Sequence, residues 1–529
     1  MKEETHKILI GGRWREPREP ARSFAAVDPT TGNSLPGLYP VSGFIELEEA
    51  LKAARGAASE LRPLGPDALA RFLDLFAAAA EARREELVAM AHRETALPEE
   101  PRLRSTEFPR FAGQLRQAAA ASRDRSWCRA TIDTKLNLRS KYGPLGGPVI
   151  VFSPNNFPFA FNAVGGGDFA AALAAGNPVI AKANPGHPGT TRLLAEAAFQ
   201  ALHASGLPLA LVQMFYHFEA RDGLRLVAHP LTGATAFTGS RSAGLHLKES
   251  ADKAGKPISL ELSSLNPVFV LPGAAAERGG EIAAELAASC TMGSGQFCTK
   301  PGVVVLVDDE SGRSLLEAMK RNFEAQPAGY LVSENVLAGM QKSVDALLRA
   351  RASLVAGGRA LEGPGFRFAN TLFRTTGRLF LSAPEAFAVE VFGAFSVAVL
   401  VEGFDEMKEV AARLEGNLTA SVYSARSGED DTLYDRIEPL LRPKVGRLLN
   451  DKMPTGVAVS PAMVHGGPFP ATGHPGFTSV GIPPSFLRFA ALHGYDNVRP
   501  HRLPPELRDE NPTGRMWRLV DGEWTQRNI

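Results

Sequence analysis

Two groups in this sequence have the type and setting for covalent chemistry. Cys298 lies in a turn of small residues, Gly295-Gln296-Phe297-Cys298-Thr299, and Glu261 lies in the apolar run Ile258-Ser259-Leu260-Glu261-Leu262. A thiol is a competent nucleophile only as thiolate, and a carboxylate is a base that can act on it or on water. Taken alone, a turn cysteine reads equally well as structural. Asn156, in Asn155-Asn156-Phe157-Pro158, follows another apolar run, where an amide N–H can serve a developing oxyanion; an asparagine turn before proline is the equal alternative. Lys182 closes a further run, and Glu390 stands in Glu390-Val391-Phe392-Gly393, where a carboxylate among apolar neighbours is costly without a task. In Phe237-Thr238-Gly239-Ser240-Arg241, glycine and serine at the start of an expected helix offer backbone N–H groups to an anion. This is not a Gly-x-Gly-x-x-Gly fingerprint, and none follows an expected strand. His465 and His474 sit in a Gly/Pro loop with no carboxylate beside them and read as loop residues. No histidine is close to Cys298 in sequence, so a Cys/His pair would have to be made by the fold, an alternative that stays open.

Composition narrows the setting. The charges nearly cancel (58 Lys+Arg, 57 Asp+Glu, net +1) and form no block, which argues against a nucleic-acid or anionic-membrane partner. The three cysteines, Cys128, Cys290 and Cys298, have no zinc-type spacing, so neither a disulfide framework nor a metal ligand set is expected. The nearly apolar run 386–401 contains Glu390 and is too short to span a bilayer. Residues 1–8 lack the apolar core of a secretory leader. A cytoplasmic protein is expected.

The elements that must position these groups follow from periodicity. Residues 8–39 read as hairpins and turns, and helical patterns cover 46–60, 67–96 and 103–121, with Pro109 restarting the last. The alternating segment 129–139 reads as a half-polar strand pair that needs a partner, another subunit being one choice. Apolar runs at 148–152, 178–181, 211–215, 234–237 and 258–262 alternate with helical segments at 160–175, 189–205, 219–228 and 241–254, the pattern of a parallel sheet covered on both faces. A second α/β pattern follows. Its expected strands are 268–271, 302–306, 395–401 and 420–423, and its expected helices are 281–289, 312–324 and 333–351. The segment 465–529 reads as more surface-like than core.

In this order the segments resemble the aldehyde dehydrogenase superfamily over nearly the whole chain. They are Pro154-Asn155-Asn156-Phe157-Pro158, Lys182 at a strand end, Phe237-Thr238-Gly239-Ser240, Glu261-Leu262-Ser263-Ser264-Leu265-Asn266-Pro267, Gly295 to Thr299, and Glu390 to Gly393. Within it, Asn184-Pro185-Gly186-His187-Pro188-Gly189-Thr190, Gly466 to Thr472 and Phe477 to Gly481 look most like the α-ketoglutaric semialdehyde (2,5-dioxopentanoate) dehydrogenases; NADP-linked fatty aldehyde dehydrogenases share part of the pattern. The resemblance implies an α/β fold with a Rossmann-type cofactor domain (1–128 and 148–264), an α/β catalytic domain containing Cys298 (265–464), a small β oligomerisation element (129–147 and 485–500) and a C-terminal tail (501–529). It implies a homodimer or homotetramer. It makes Cys298 the nucleophile, Asn156 with the Cys298 N–H the oxyanion site, and Glu261 the base that activates water against a thioester. Lys182 and Glu390 would hold the ribose hydroxyls and Phe392 the nicotinamide side, with Gly239 and Ser240 toward the pyrophosphate and Ser153 among the cofactor contacts.

Three departures bear on specificity. Pro185 stands where NAD-preferring relatives often carry a glutamate that chelates the adenine ribose, so a 2′-phosphate is permitted. Phe218 occupies the approximate position of the arginine common in NADP-preferring relatives, with His217 or Arg221 as possible substitutes, which leaves NADP and NAD close with a lean to NADP. Ala236 replaces a usual glycine, a tolerable change in a strand. On the expected helix 103–121, Arg110 and Gln114 share a face and Arg116 lies nearby. An arginine there suits a distal substrate carboxylate, solvated helix arginines being at least an equal alternative, and Phe157 and Phe297 would line the tunnel. The expected reaction is therefore NAD(P)+-dependent oxidation of a short semialdehyde such as 2,5-dioxopentanoate. A fatty or aromatic aldehyde is the alternative, and a catalytically silent binding protein the remote one.

Overall fold

Short runs rich in valine and isoleucine, bounded by helices, pair side by side because only a sheet covered on both faces buries such runs completely. Val149–Phe152, Val179–Lys182, Val212–Phe215, Ala234–Thr238 and Ile258–Glu261 lie parallel. Their order across the sheet is Ile258–Glu261, Ala234–Thr238, Val149–Phe152, Val179–Lys182, Val212–Phe215, and the antiparallel hairpin Ile8–Ile10 with Arg13–Arg15 completes the far edge. The chain runs outward from Val149–Phe152 in one direction and resumes on its other side at Ala234–Thr238. The strand order thus reverses between these two, and their carboxyl ends open the crevice where such sheets take ligands. The structure is a computed structural model describing residues 5–18 and 22–529. The leader reading of 1–8 and the cofactor-domain range from residue 1 fall in part on residues 1–4 and 19–21, outside the described residues.

A second seven-stranded sheet holds, in order, Ser353–Ala356, Thr371–Thr376, Phe395–Val401, Val303–Val307, Val268–Val270, Asn417–Tyr423 and Val445–Asn450, parallel except for its first strand. Three of these strands, at 353–356, 371–376 and 445–450, lack the apolar run that marked the other four. The third sheet carries Ala490–Asp496, Leu138–Pro144, Thr131–Asp133, Arg518–Val520 and Glu523–Thr525. Residues 501–529 are therefore more than a tail, since Leu519 pairs with Thr131. The surface-like reading of 465–529 is corrected too: Phe477, Val480, Ile482, Phe486 and Phe489 are buried.

The expected helix 67–96 breaks in two, Gly65–Ala82 and Arg84–Thr95. Arg83 at the junction leaves helical geometry, and its guanidinium bonds Glu86, Glu196 and the Leu193 carbonyl. The bend lets the second piece pack on Pro188–Ser205. Pro66 and Asp67 start the first piece, and Leu69, Phe72, Leu73, Phe76 and Ala80 form its buried stripe. Ahead of Phe108–Asp124 the chain forms a π-helical stretch, Glu99–Glu107, and Pro109 sits in the first turn of the helix after it, where its missing N–H costs nothing.

The expected helix 160–175 begins only at Gly167. Upstream, side chains take the hydrogen bonds a helix would use: Glu107 accepts from the Phe159 and Ala160 N–H groups, while Asn162 accepts from Val164 N–H and donates to the Pro158 carbonyl. Arg102 satisfies the second Glu107 oxygen at 2.6 Å and reaches the Asn156 carbonyl at 3.0 Å. This fully buried carboxylate thus fixes the loop carrying Asn156 and Phe157. Glu107→Ala would strand two buried N–H groups and one guanidinium, and is expected to lower unfolding free energy by about 3–5 kcal/mol in urea denaturation. A loss below about 1 kcal/mol would mean the loop is held by other contacts.

Candidate active site

Glu261 ends its strand at the carboxyl edge of the first sheet, and Cys298 lies just ahead of Val303–Val307, at the amino edge of the second. The two edges meet there. The Cys298 loop is held by Asn266, whose side-chain amide donates to the Cys298 carbonyl at 2.8 Å and the Lys300 carbonyl at 3.0 Å. Gln296 ties it further, accepting from Val332 N–H and donating to the Gly293 and Tyr330 carbonyls. Gly295 is needed twice over: its φ is +70°, and a Cβ there would sit 2.2 Å from the Gly393 carbonyl group. That contact sets the Glu390–Gly393 loop against the cysteine turn.

The main correction to the sequence reading is His465. Its Nε2 lies 2.7 Å from Glu261 Oε1 and 3.4 Å from Cys298 Sγ, so a Cys/His pair exists and His465 is no mere loop residue. Ser479 Oγ–H donates to the other Glu261 oxygen at 2.8 Å. Burial alone would raise the Glu261 carboxyl, but His465, Ser479 and Cys298 outweigh it and hold the group below its usual value. The Cys298 thiol moves the opposite way. Burial and the Glu261 and Glu390 carboxylates push it well above its usual range, with Arg110 opposing. An ionised acid therefore faces a thiol that keeps its proton, an arrangement suited to base-assisted attack and to activation of water. Donor atoms of Glu261, Cys298 and His465 all lie within 4.8 Å of one another.

Asn156 is buried, and its amide nitrogen donates to the Gln296 carbonyl at 2.8 Å. That bond joins it to the cysteine turn and leaves a second N–H to give. Phe157 packs edge-on against Phe161 (5.1 Å) and Phe297 (5.3 Å), and Arg102 lies over the Phe157 and Phe297 rings. Arg110 lies over Phe161 at 5.2 Å, and its Nε and Nη2 are buried with no hydrogen-bond partner. Gln114 is buried, with Oε1 likewise unpaired. Arg116 is drawn away from the mouth by its double contact with Glu81.

A cavity of about 760 Å³ runs between the sheets, with Asn155, Ser240, Lys300, Lys342, Glu390 and Phe392 on its walls. Ser240 caps Arg241–Lys253. Gly239 gives its N–H to the Glu261 carbonyl, so this N–H is not free for an anion. Ser153 is buried, with its hydroxyl at 3.5 Å from the Lys182 carbonyl. Burial pushes Lys182 down to about 8 and, in the main, Glu390 up to about 7, with Ser263 and Lys300 opposing the latter. His217 is pushed down to about 4 by burial and then by Lys182, and its Nδ1 is buried without a partner. His465, Ser479, Arg102 and Lys342 were the residues missed. The signal nearest to them was the Gly466–Gly481 segment, which borders His465 and contains Ser479.

The chain matches the aldehyde dehydrogenase family over residues 14–439. It is 36% identical to α-ketoglutaric semialdehyde dehydrogenase 2 of Azospirillum brasilense, over 95% of this chain and 96% of that one. It is 35% identical to the α-ketoglutaric semialdehyde dehydrogenase of Acinetobacter baylyi, over 99% and 100%. Among solved structures, 3,6-anhydro-L-galactose dehydrogenase in complex with NAP superposes with a TM-score of 0.80 at 21% identity, over 93% of this chain and 99% of that one. A Pseudomonas syringae aldehyde dehydrogenase in complex with NAD+ and octanal gives 0.79 at 20%, over 95% and 99%. These two likenesses show the fold.

The electrostatics predict a labelling pattern. Cys128 and Cys290 are buried and pushed up to about 12, whereas Cys298 is half-buried, so iodoacetamide should modify one thiol per native chain, and none in Cys298→Ser. Because the Cys298 thiol is protonated at neutral pH, the rate should climb roughly tenfold per pH unit from neutral into the alkaline range. A rate already level across that range would show that the thiol is ionised and overturn this reading.

Proposed function

The chain belongs to the aldehyde dehydrogenase family, and from that premise we propose that it oxidises a short semialdehyde with a distal carboxylate, of the 2,5-dioxopentanoate type, to the dicarboxylic acid 2-oxoglutarate with NAD(P)+. The observation that carries this reading is Arg110, a guanidinium with two buried, unpaired nitrogens beside the aromatic wall of Phe157, Phe161 and Phe297. A buried charge of this kind is costly until a carboxylate meets it. A fatty or aromatic aldehyde is the second reading, favoured by the same aromatic wall. Against it stand Arg102 and Arg110, which lie over the rings.

In this mechanism Cys298 attacks the aldehyde carbon while Glu261 takes the thiol proton. His465, donating Nε2–H to Glu261, keeps that carboxylate ionised and aimed. The second N–H of Asn156 and the backbone N–H of Cys298 hold the oxyanion. The cofactor cavity fits a dinucleotide in three respects: it opens at the reversal of strand order, Ser240 caps a helix on one wall, and Glu390 and Phe392 line the other. A nicotinamide nucleotide held there by Ser240, Glu390 and Phe392 would supply the hydride acceptor that oxidation of the aldehyde carbon requires. Glu261, once it has passed the thiol proton to solvent, activates the water that releases the acid, and Phe157, Phe161 and Phe297 shield the thiol from bulk water.

Lys182, Ser153, Gly239, Ser240, Glu390 and Phe392 are the proposed cofactor contacts, Gly239 through close backbone approach and not through its N–H. Pro185 in place of a carboxylate, with Lys182 and the unpaired His217 nearby, supports the lean to NADP. Among the described residues no helix is long and apolar enough to cross a membrane, and we read the protein as cytoplasmic. The third sheet exposes Leu136, Leu492 and Trp524, which supports pairing of subunits through 129–147 and 485–500 in a homodimer or homotetramer.

The test follows reduced-nicotinamide absorbance with 2,5-dioxopentanoate and each cofactor in turn. Arg110→Gln is expected to cut kcat/KM for that substrate by roughly a hundredfold, with the loss mainly in KM, while sparing an uncharged aldehyde of similar length. Equal losses on both substrates would remove Arg110 from the carboxylate site, and no turnover of any aldehyde would sink the reading. Glu261→Gln should let the acyl-enzyme accumulate as a burst without steady turnover.

A further inference from the structure

The convergence of three unlike donors goes beyond aldehyde oxidation. Cys298 Sγ, His465 Nε2 and a Glu261 carboxylate oxygen lie within 4.8 Å of one another although they come from three separate segments, and together they are the thiolate, imidazole and carboxylate set that zinc prefers. The spacing also suits it. Bonds of about 2.3 Å to sulfur and about 2.0 Å to nitrogen put those two ligands about 3.5 Å apart in a tetrahedral shell, and the Sγ–Nε2 separation is 3.4 Å. The His465–Glu261 edge, at 2.7 Å, is shorter than the about 3.3 Å of such a shell and opens by a small swing once the proton between the two groups has moved.

The Glu261 carboxylate stands with the thiol and the imidazole in this cluster, so a divalent cation among them meets negative charge directly. Ser479, hydrogen-bonded to the outer Glu261 oxygen, supplies the supporting contact that orients a ligating carboxylate. Cys298 is only half-buried, so an ion can reach it.

We infer that Glu261, Cys298 and His465 form a three-ligand site for zinc or a similar borderline divalent cation, with the fourth position open to water, and that the bound ion silences the nucleophile reversibly. Binding exchanges the Cys298 thiol proton for the metal, so one proton leaves per ion bound, while the His465 ring proton moves to Nδ1 and Nε2 becomes the ligand. No oxidant or reductant takes part. Affinity rises with pH, because the ion competes with a proton. The site regulates by occupancy: a cell interior that buffers free zinc keeps the thiol available, and a rise in free zinc withdraws it.

Cobalt is the probe, since its thiolate complexes absorb and aldehyde turnover is not needed to see them. Titrating cofactor-free enzyme with Co2+ is expected to raise a thiolate-to-cobalt band in the near ultraviolet, with visible bands of a four-coordinate ion, saturating at one ion per chain with one proton released. Cys298→Ser should lose the charge-transfer band, and His465→Gln should weaken Co2+ binding by roughly tenfold or more, with far-ultraviolet circular dichroism confirming that each variant is folded. A band that survives in folded Cys298→Ser, or no band at a large excess of Co2+, overturns the site. In turnover assays Zn2+ should inhibit and a chelator restore full activity, whereas Mg2+, which favours oxygen ligands, should not inhibit. Inhibition that no chelator reverses would overturn the regulatory claim. The spectral result stands or falls independently of which aldehyde is oxidised.

Discussion

Everything at the site depends on keeping one buried carboxylate charged. Glu261 ends a strand at the sheet's edge, where desolvation alone would protonate it, and a protonated acid could neither take a thiol proton nor activate water. Two side chains from the far end of the chain prevent this: His465 at 2.7 Å and Ser479 at 2.8 Å each satisfy one oxygen. The segment carrying them is itself fixed, because Ser479 N–H bonds the His465 carbonyl and Leu262 N–H bonds the Ala471 carbonyl beside Glu261. The carboxylate and its supports thus fold as one unit, and the rest of the architecture brings Cys298 to it.

That delivery uses two sheets meeting edge to edge. A strand end and a turn preceding a strand have opposite polarity, so the first sheet offers the end of Ile258–Glu261 while the second offers the turn before Val303–Val307. Asn266 spans the junction: it follows Glu261 closely in sequence, adopts a φ of +50°, and its amide binds the carbonyls on either side of Thr299. The backbone contact between Gly295 and Gly393 then sets the distance between the thiol turn and the loop of Glu390. Small residues recur in these turns because the backbones themselves must touch.

The central strands of both sheets were legible because burial on two faces leaves a continuous apolar run, and their expected limits differ from the observed ones by a residue or so, except that the strand expected at 420–423 begins at Asn417. Strands at 371–376 and 445–450 were not, because Arg374 and Arg447 interrupt the run, nor was 353–356, a short edge strand whose Ser353 and Leu354 are exposed; only tertiary pairing holds these segments extended. Helix 67–96 was overextended because nothing local marks Arg83 as a break; its reason is Glu196, more than a hundred residues on. Cys298, Glu261 and Asn156 could be picked out by residue type at element ends. His465 could not, since its role is conferred by a partner at |i−j| = 204 and a lone histidine in a Gly/Pro loop carries no periodic signal. Ordered motifs could reveal such a residue only as a bystander to Gly466–Gly481.

The arginines around the mouth separate structure from recognition by the same satisfaction argument. Arg116 forms a two-contact ion pair with Glu81 at an exposed site, where solvent meets its remaining N–H groups and no ligand is needed to complete it. Arg102 gives its two terminal nitrogens to Glu107 and the Asn156 carbonyl, with only its Nε unpartnered, so its charge serves to hold the Asn156 loop. Arg110 differs: it is pressed against Phe161, opposed by burial, supported at a distance by the Glu107 and Glu261 carboxylates, and left with Nε and Nη2 unmet. A packed interior retains such a group only where something else completes it, because an unpaired buried donor costs about 1–3 kcal/mol. The group that would complete it is a hydrogen-bond acceptor, and the substrate carboxylate proposed above is one that fits, so that the aromatic wall of Phe157, Phe161 and Phe297 lies between the thiol and the unmet guanidinium.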